Sequence, residues 1–449
     1  MKVLLSFVGE QDPISEKTSS EGSIVTLCRY LQPQLVYLLP TAKGYNIRSE
    51  TESNASNTEH WINTEINKSI EIFIKPAKLN NPTDYSSVIP VVRRLVNDIL
   101  SEIKHEENEI HINCSSGTPQ LKSAWLILAN AGVFPNGRLW QVANPEYCQG
   151  ERITEIELTL LEEENILSQV KRLAAEFMFQ RLAEECMKLK KISNYSYRKE
   201  KAALSGRIFS AYQSWDLIRY DDAYRRLISV YRDIEKSKDL TELKNCLAKQ
   251  VEILGKLKEN STKENKYNLF DLYFNAERRL IRKDYTDTLA RFWRIYEGSL
   301  FYLLREYYGI EPTLSESSNQ ENVKKINDYF VNKPYKLSMS TAATVLEKIF
   351  QDKVFLQLSK IGVEALRSNS SEKMKVSRLL EELRERRNES IVAHGMKPVS
   401  EQDARNSLMV MTEILKLFFS LDVALFKEYP LQLADIEFVI SSLEEAFSK

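Results

Sequence analysis

Toward the C-terminal end of this 449-residue chain, the run SRLLEELRERRNESIVAHGMKP sets Arg387 seven positions before His394, with Asn388 beside the arginine. On an uninterrupted α-helix seven residues turn through ~700°, only ~20° short of two turns, and rise ~10 Å. Both side chains would then share one face and reach a single phosphate. That pairing suits RNA cleavage without a metal. The ribose 2′-OH attacks the adjacent phosphorus, an arginine fork stabilises the charge building on the phosphoryl oxygens, and a histidine moves or positions the proton. Asn388 is placed to hydrogen-bond the phosphate or hold the histidine. No carboxylate–histidine cluster suggests a metal. Of the four histidines, His60, His105, His111 and His394, only the last lies beyond the first ~160 residues. Spacing alone leaves a blander reading open, in which Arg384–Arg387 is a solvated helix face and His394 a cap near the helix C-terminus, where positive charge is favoured. Gly395 then serves as the stop.

A second candidate site lies in EIHINCSSGTPQLKSAWLILANAG. A strand ending at Cys114 is followed by Ser115, Ser116, Gly117 and Thr118, and a helix starts at Pro119. Thr118 suits an N-cap, proline the first helical position, and Gly117 a positive φ or a close backbone approach. Free N–H groups at such a helix start favour phosphate or other anionic oxygens. In an open parallel sheet, ligands bind beyond the carboxyl ends of the strands. The turn after the first strand, Gly9–Glu10–Gln11–Asp12–Pro13, and Thr41 after the second would converge with this loop on one polar edge. Ordinary capping chemistry explains Ser-Gly-Thr-Pro equally well on spacing alone. A Walker A loop is excluded, because G-x-x-x-x-G-K-[ST] is absent.

The elements that must hold these residues follow from periodicity. The first ~160 residues alternate strands (Val3–Val8, Leu35–Leu39, Ile70–Lys75, Ile110–Cys114, Arg138–Val142, Ile153–Thr159) with helical patterns at Glu21–Leu31, Ser86–Ile103 and Pro119–Asn130. That alternation predicts a Rossmann-like α/β domain, a mostly parallel sheet with flanking helices. Glu50–Ser69 reads as a polar loop or an exposed helix. From about Glu162 glycine and proline thin out and 3.6-period patterns take over, so the rest is predicted all-α. LEEENILSQVKRLAAEFMFQRLAEECMKLKK is one long helix or two short ones. The polar run Glu259–Lys266 has linker composition, and turns are expected near Gly309–Pro312, Lys333–Pro334 and Gly395–Pro398. An internal echo at a constant offset of 65 pairs Tyr220, Asp222, Arg226, Val230 and Tyr231 with Tyr285, Asp287, Arg291, Ile295 and Tyr296, as a turn leading into an amphipathic helix. The arginines and aromatics from Arg278 to Tyr296 suit single-stranded RNA by charge and stacking. Their bland alternative is aromatic core with solvated arginines. Glu297 is left without a role.

Bulk properties are consistent with this division. The length implies two or three domains. The hydrophobic share of 43% and charged share of 28% describe a globular protein. A net charge of -1 gives no global basic field, although a local basic cleft is compatible with it. Five scattered cysteines, Cys28, Cys114, Cys148, Cys186 and Cys246, form no C-x-x-C pair and support neither a disulfide framework nor a zinc site. MKVLLSFVGEQDP has too short an apolar run for a signal peptide, and no stretch nears the ~20 apolar residues of a membrane span. The expected location is cytoplasmic, with no membrane partner.

LLSFVGEQDPIS, RYLQPQLVYLLPT, NPTDY and NCSSGTPQLKSA resemble a CARF domain, the CRISPR-associated Rossmann-like fold. FNAERRLIRKDYTDTLARFWRIYE and RERRNESIVAHG are similar to a HEPN nuclease domain with its R-N-x(n)-H motif. Over essentially its whole length the chain thus resembles the CARF–HEPN ribonucleases of type III CRISPR systems, the Csm/Csx type. The resemblance implies residues 1–160 as a CARF domain binding a cyclic oligoadenylate, 161–262 as a helical connector and 263–449 as the HEPN domain. It implies Arg387, Asn388 and His394 as the catalytic set, with Arg386 the alternative register. For the activator it implies Gln11, Asp12, Thr41, Asn113, Ser115, Ser116, Gly117, Thr118 and Gln120. It further implies homodimers in which two CARF domains share one ligand and two HEPN sites meet in one cleft for single-stranded RNA. Four adenylates are expected in the ring rather than six, with no cofactor, no metal and no stable complex with the interference complex. Other readings stay open: a non-enzymatic ligand sensor, a free-standing nuclease toxin, and slow cleavage of the activator by the CARF domain itself.

Overall fold

The computed structural model describes every residue except 45–49, 104–107, 135–136, 149, 236–239, 260–262, 332–333, 368–369, 420–428 and 449. His105, the middle of the Glu259–Lys266 run and the first residue of the Lys333–Pro334 turn therefore lie outside the described residues. The chain divides into two compact units, Met1–Glu162 and Glu163–Lys449.

The first unit is a six-stranded sheet in the order β3-β2-β1-β4-β5-β6. Its strands are β1 Lys2–Phe7, β2 Leu35–Leu39, β3 Glu71–Ile74, β4 Glu109–Asn113, β5 Arg138–Val142 and β6 Ile153–Ile156. The first five run parallel, and β6 pairs antiparallel with β5. Helices α1 Ser23–Leu31, α2 Glu52–Glu65, α3 Tyr85–Glu102 and α4 Pro119–Asn130 flank it. The central strands β1 and β4 are almost wholly buried, as expected where helices cover both faces. The Glu50–Ser69 alternative resolves as a helix. Ala55, Thr58 and Ile62 recur at helical spacing and are buried beneath an otherwise polar sequence. The strand order reverses between β1 and β4, so the loops after them lie at the switch point where such sheets bind ligands.

Helix α5 Thr159–Ala175 lies mostly in the second unit, which continues through α6 Phe179–Ile192, α7 Ser196–Asp216, α8 Tyr220–Ile234, α9 Thr241–Glu259, α10 Lys266–Ile281 and α11 Tyr285–Tyr308. After α12 Gln320–Tyr329 come α13 Met339–Thr344, a π-turn at Val345–Ile349, α14 Lys353–Leu358, a β7–β8 hairpin (Gly362–Leu366, Ser371–Lys375), α15 Val376–Glu389, α16 Glu401–Phe419 and α17 Leu433–Ser448. The LEEENIL run is two helices, because Phe177 adopts a positive φ and ends α5.

Three tight turns share one design. Phe177, Ile218 and Lys283 each have positive φ two residues before the next helix. Each following residue donates its N–H to a carbonyl five residues back: Met178 to Leu173, Arg219 to Ser214, and Asp284 to Arg279. This is the Schellman closure carried by non-glycine residues. It accounts for the 65-residue echo, since α8 and α11 leave the same turn. Two hydrophobic clusters result. One joins α10, α11 and the elements up to α16, along with Tyr429. The other joins α5–α9 with Ile436, Val439, Ile440 and Leu443 of α17.

Between these helices lies a buried polar hub. Asp216, 1% exposed, accepts from Arg278 Nε at 2.8 Å and from Arg282 Nη1 at 2.9 Å, and Arg279 approaches within 2.9 Å. The three guanidinium groups hold its carboxyl below the usual carboxylate range against the cost of burial. Nearby Asp271 accepts from Trp215 Nε1 (2.7 Å) and the Tyr220 hydroxyl (3.0 Å). For this group burial outweighs its donors and pushes the carboxyl up to about 6. The folded value exceeds the unfolded one of about 3.9. Stability from this group is therefore complete below about pH 4 and is lost as pH rises through 6. Asp271→Asn, which keeps the uncharged form, should gain up to about 3 kcal/mol relative to wild type between pH 4 and pH 7. Urea unfolding at the two pH values checks this, and an unchanged difference contradicts it.

Candidate functional site

In the first unit the loops after β1 and β4 are joined through Asp12 and Ser116. Asp12 is 3% exposed, and its Oδ2 accepts from the Ser116 hydroxyl at 2.5 Å and the Gly9 N–H at 3.0 Å. Burial raises its carboxyl above the ordinary range, while Ser116 and Gly9 oppose that rise. Asn113 is wholly buried. It donates to Ser6 Oγ and Ser23 Oγ, both at 2.9 Å, and accepts from the Ser115 N–H. Ser115 Oγ in turn accepts from Val142 N–H at 2.7 Å. Thr41 is buried, and its N–H is bound to Thr51 Oγ1 at 3.0 Å. These side chains brace the loops.

The other predicted ligand residues are less buried. Gln11 is exposed and bonded to Ser15. Gly117 takes a φ of +96° with Phe7 and Leu121 close behind it, as the tight loop requires. Thr118 caps α4 by accepting from Leu121 N–H at 3.3 Å and donates to Pro82 O at 2.8 Å. Gln120 leaves its Oε1 buried without a partner. Gln11, Asp12, Asn113, Ser115, Ser116, Gly117 and Thr118 are thus knit around one loop cluster, and Asn54 of α2 donates to Asp12 O at 3.0 Å. Thr41 faces the start of α2 instead.

In the second unit the single-helix geometry for Arg387 and His394 is corrected. Helix α15 stops at Glu389, and Ser390 is extended (φ −99°, ψ 168°). The reason is local: Ser390 Oγ bonds back to Arg387 O at 2.9 Å and also accepts from Val392 N–H, competing with the next helical turn. Ala393 and Gly395 N–H donate to Ser390 O, and Lys397 N–H returns to Glu389 O. His394 therefore lies in a hairpin-like turn folded onto the helix end, exposed to solvent. Among the described residues the side chains of His394 and Asn388 have no hydrogen-bond partner, so Asn388 does not hold the histidine. Gly395 is the residue this turn demands, because a Cβ there would overlap the Glu389 backbone.

Arg387 differs from Arg386. Arg386 is neutralised by Glu389 (3.1 Å) and approached by Asp403 (3.6 Å). Arg387 is half-buried, with its guanidinium carbon 5.7 Å from the Trp293 ring centre. It forms no ion pair among the described residues, and its Nε is buried without a partner. It borders a pocket of about 380 Å³ lined by Ala290, Trp293, Arg294, Glu297, Ser338, Met339, Ser340 and Val392. A partly desolvated cation without a counter-ion beside a cavity is chemistry suited to an anionic ligand.

The basic and aromatic stretch around α10 and α11 is mostly interior. Arg278 (2% exposed) and Arg279 (7%) belong with Arg282 to the Asp216 hub. Arg291 pairs with Asp287, and Phe292 and Tyr296 are core. Only Trp293 and Arg294 reach the pocket. Sequence reasoning missed Ser338, Met339, Ser340 and Val392. The first three come from a segment far from either motif, with no periodic signal. The wall on α11, Ala290-Trp293-Arg294-Glu297, has the i, i+3, i+4, i+7 spacing that could have revealed it.

A family model described as the Csm6 HEPN domain matches residues 257–417, and one described as the Cas_Csm6 CARF domain matches residues 69–155. The CRISPR system endoribonuclease Csm6′ of Streptococcus thermophilus is 26% identical over 385 residues, spanning 82% of this chain and 90% of the relative. Csm6 of the same organism is 29% identical over 168 residues, 37% of this chain and 36% of the relative. The solved structure of Enterococcus italicus Csm6 bound to cyclic hexa-2′-fluoro-hexa-dAMP shares the fold, with a TM-score of 0.59 and 17% identity over 99% of this chain and 100% of that one.

Gly395→Ala should spoil the turn that carries His394 while leaving the α15 core intact. The expected outcome is at least a tenfold loss of any RNA cleavage with little change in melting temperature. Retention of full activity contradicts the assignment of the turn.

Proposed function

This chain belongs to the type III CRISPR-associated CARF–HEPN ribonucleases, and we propose that it is a metal-independent endoribonuclease for single-stranded RNA, switched on by a cyclic oligoadenylate. The observation that carries this reading is Arg387, an unpaired and half-buried cation bordering a pocket. In the proposed reaction Arg387 binds the scissile phosphate and stabilises its developing charge. His394 positions or transfers the proton of the 2′-OH or leaving oxygen, and Asn388 hydrogen-bonds the phosphate. Exposure of His394 suits a group completed only when RNA and a second HEPN domain are present, so the working form is a homodimer.

Residues 1–160, 161–262 and 263–449 serve as sensor, connector and nuclease, with α17 returning to pack in the connector cluster. The sensor holds its ligand with Gln11, Gly117, Thr118 and Gln120, on loops braced by Asp12, Thr41, Asn113, Ser115 and Ser116. A four-membered ring is the expected activator, and allosteric coupling runs through the connector. The protein acts in antiviral defence in the cytoplasm, without stable attachment to the interference complex. Among the described residues no helix is long and apolar enough to cross a membrane.

The test is cleavage of a fluorescent single-stranded RNA in EDTA, with cyclic tetra- or hexa-adenylate added separately. Wild type should cleave only with one of the rings, and Arg387→Ala and His394→Ala should each lose at least 100-fold, since acid–base and charge-stabilising groups contribute roughly 10²–10⁴-fold each. Ring binding without any cleavage would favour the sensor reading. Equal cleavage with and without ring would contradict allosteric activation.

A further inference from the structure

The pocket beside Arg387 has a composition that goes beyond binding a phosphate. Its volume of about 380 Å³ falls at the lower end of the ~300–1,000 Å³ range of small-molecule sites, a size suited to one planar base. Trp293 and Met339 supply polarizable apolar walls. Bases in single-stranded RNA stack on such groups. The serines on the pocket wall are already engaged: Ser338 Oγ bonds Ser340 Oγ at 3.0 Å and accepts from the Thr341 N–H. Among the acceptors on the wall, Glu297 keeps an oxygen without a described partner and can discriminate between bases.

Glu297 is held only lightly. Its Oε2 accepts from Arg294 Nη1 at 3.2 Å, whereas Arg294 makes its shorter bond, 2.6 Å, to Glu264. Arg294 is about half exposed, and exposed pairs of this kind are worth little, so an incoming ligand can replace the contact at small cost. The other carboxylate oxygen, Oε1, makes no hydrogen bond to a described residue. A carboxylate only accepts. Guanine alone among the four RNA bases presents two parallel N–H donors, N1–H and N2–H, on one edge, which match a carboxylate as an arginine fork does. Adenine and cytosine place an acceptor beside their amino group, and uracil flanks its single N–H with two carbonyls. Each of these sets a lone pair against the carboxylate.

We infer that the pocket is a guanine-selective base subsite, with Glu297 the specificity-determining residue and Arg387 on the adjoining phosphate. This rests on the ribonuclease reading above. The subsite selects where the strand is cut, because the base seated against Glu297 fixes which phosphate meets Arg387.

The experiment is to digest a single-stranded RNA carrying a randomised segment with activated full-length protein and to sequence the cut ends. Wild type should show guanine at one fixed position beside the cut, about tenfold or more over uracil, the discrimination a bidentate contact provides. Glu297→Gln, which turns one acceptor into a donor facing the guanine donors, should bring that ratio below about threefold. The ratio is internal to each digest, so a fall in overall rate cancels. As a second arm independent of that variant, guanosine 3′-monophosphate should inhibit wild-type cleavage at about tenfold lower concentration than uridine 3′-monophosphate. Wild type that cleaves without base bias, equal inhibition by the two nucleotides, or a bias that survives in both Glu297→Gln and Glu297→Ala overturns the subsite alone. Wild type that does not cleave at all, or an Arg387→Ala variant as active as wild type, overturns the ribonuclease reading and the subsite with it.

Discussion

Asp216 sits at the C-terminal end of α7 with three guanidinium groups around one buried carboxylate. Each of those arginines also reaches a different part of the second unit. Arg278 donates to Leu431 O just before α17, Arg279 pairs with Asp287 at the start of α11, and Arg282 donates to Glu176 O and Phe177 O in the turn between α5 and α6. Removing one partner of such a buried cluster strands the others, a cost of roughly 3–5 kcal/mol. Because α11 follows α10 by a single turn, the hub sets the placement of Trp293, Arg294 and Glu297. The pocket therefore depends on charges that are largely buried.

The same economy separates Arg387 from Arg386 and Arg294. Several guanidinium groups around it are neutralised by carboxylates, whether fully buried at Asp216 or partly buried at Glu389 and Glu264. Arg387 instead lies against Trp293, an interaction that holds its orientation while leaving its charge available. The first unit uses the opposite device. There Asp12 accepts from Ser116 and Gly9, and Asn113 bonds Ser6, Ser23 and Ser115, which fixes the loop shape. One site is made by withholding partners and the other by supplying them.

Much of this architecture was legible in the residues. The βα alternation, the Thr118-Pro119 helix start and the order of the loops on the sheet follow from local chemistry that the tertiary structure did not override. The 65-residue echo was a real feature of backbone geometry, a recurrent turn that positive-φ Ile218 and Lys283 both adopt. The error at Arg387 and His394 came from treating seven residues as one helix. Ser390 and Gly395 together specify a turn, but only the return of Lys397 to Glu389 explains why. Burial of Arg278 and Arg279 was illegible because their partner, Asp216, is some sixty positions away. Ser338, Met339 and Ser340 carry no pattern linking them to α11 and were visible only in three dimensions.

The central claim is that the charge of Arg387 is kept free for an RNA phosphate. Its most direct test is equilibrium binding of a non-cleavable 2′-O-methyl RNA to activated wild type and to Arg387→Ala across a range of salt concentrations. Loss of one phosphate contact on a single strand should weaken binding and lower the magnitude of the log–log salt slope by about 0.7. An Arg387→Ala variant with unchanged affinity and unchanged slope would show that the guanidinium does not meet the RNA backbone, and the account of the site would be wrong.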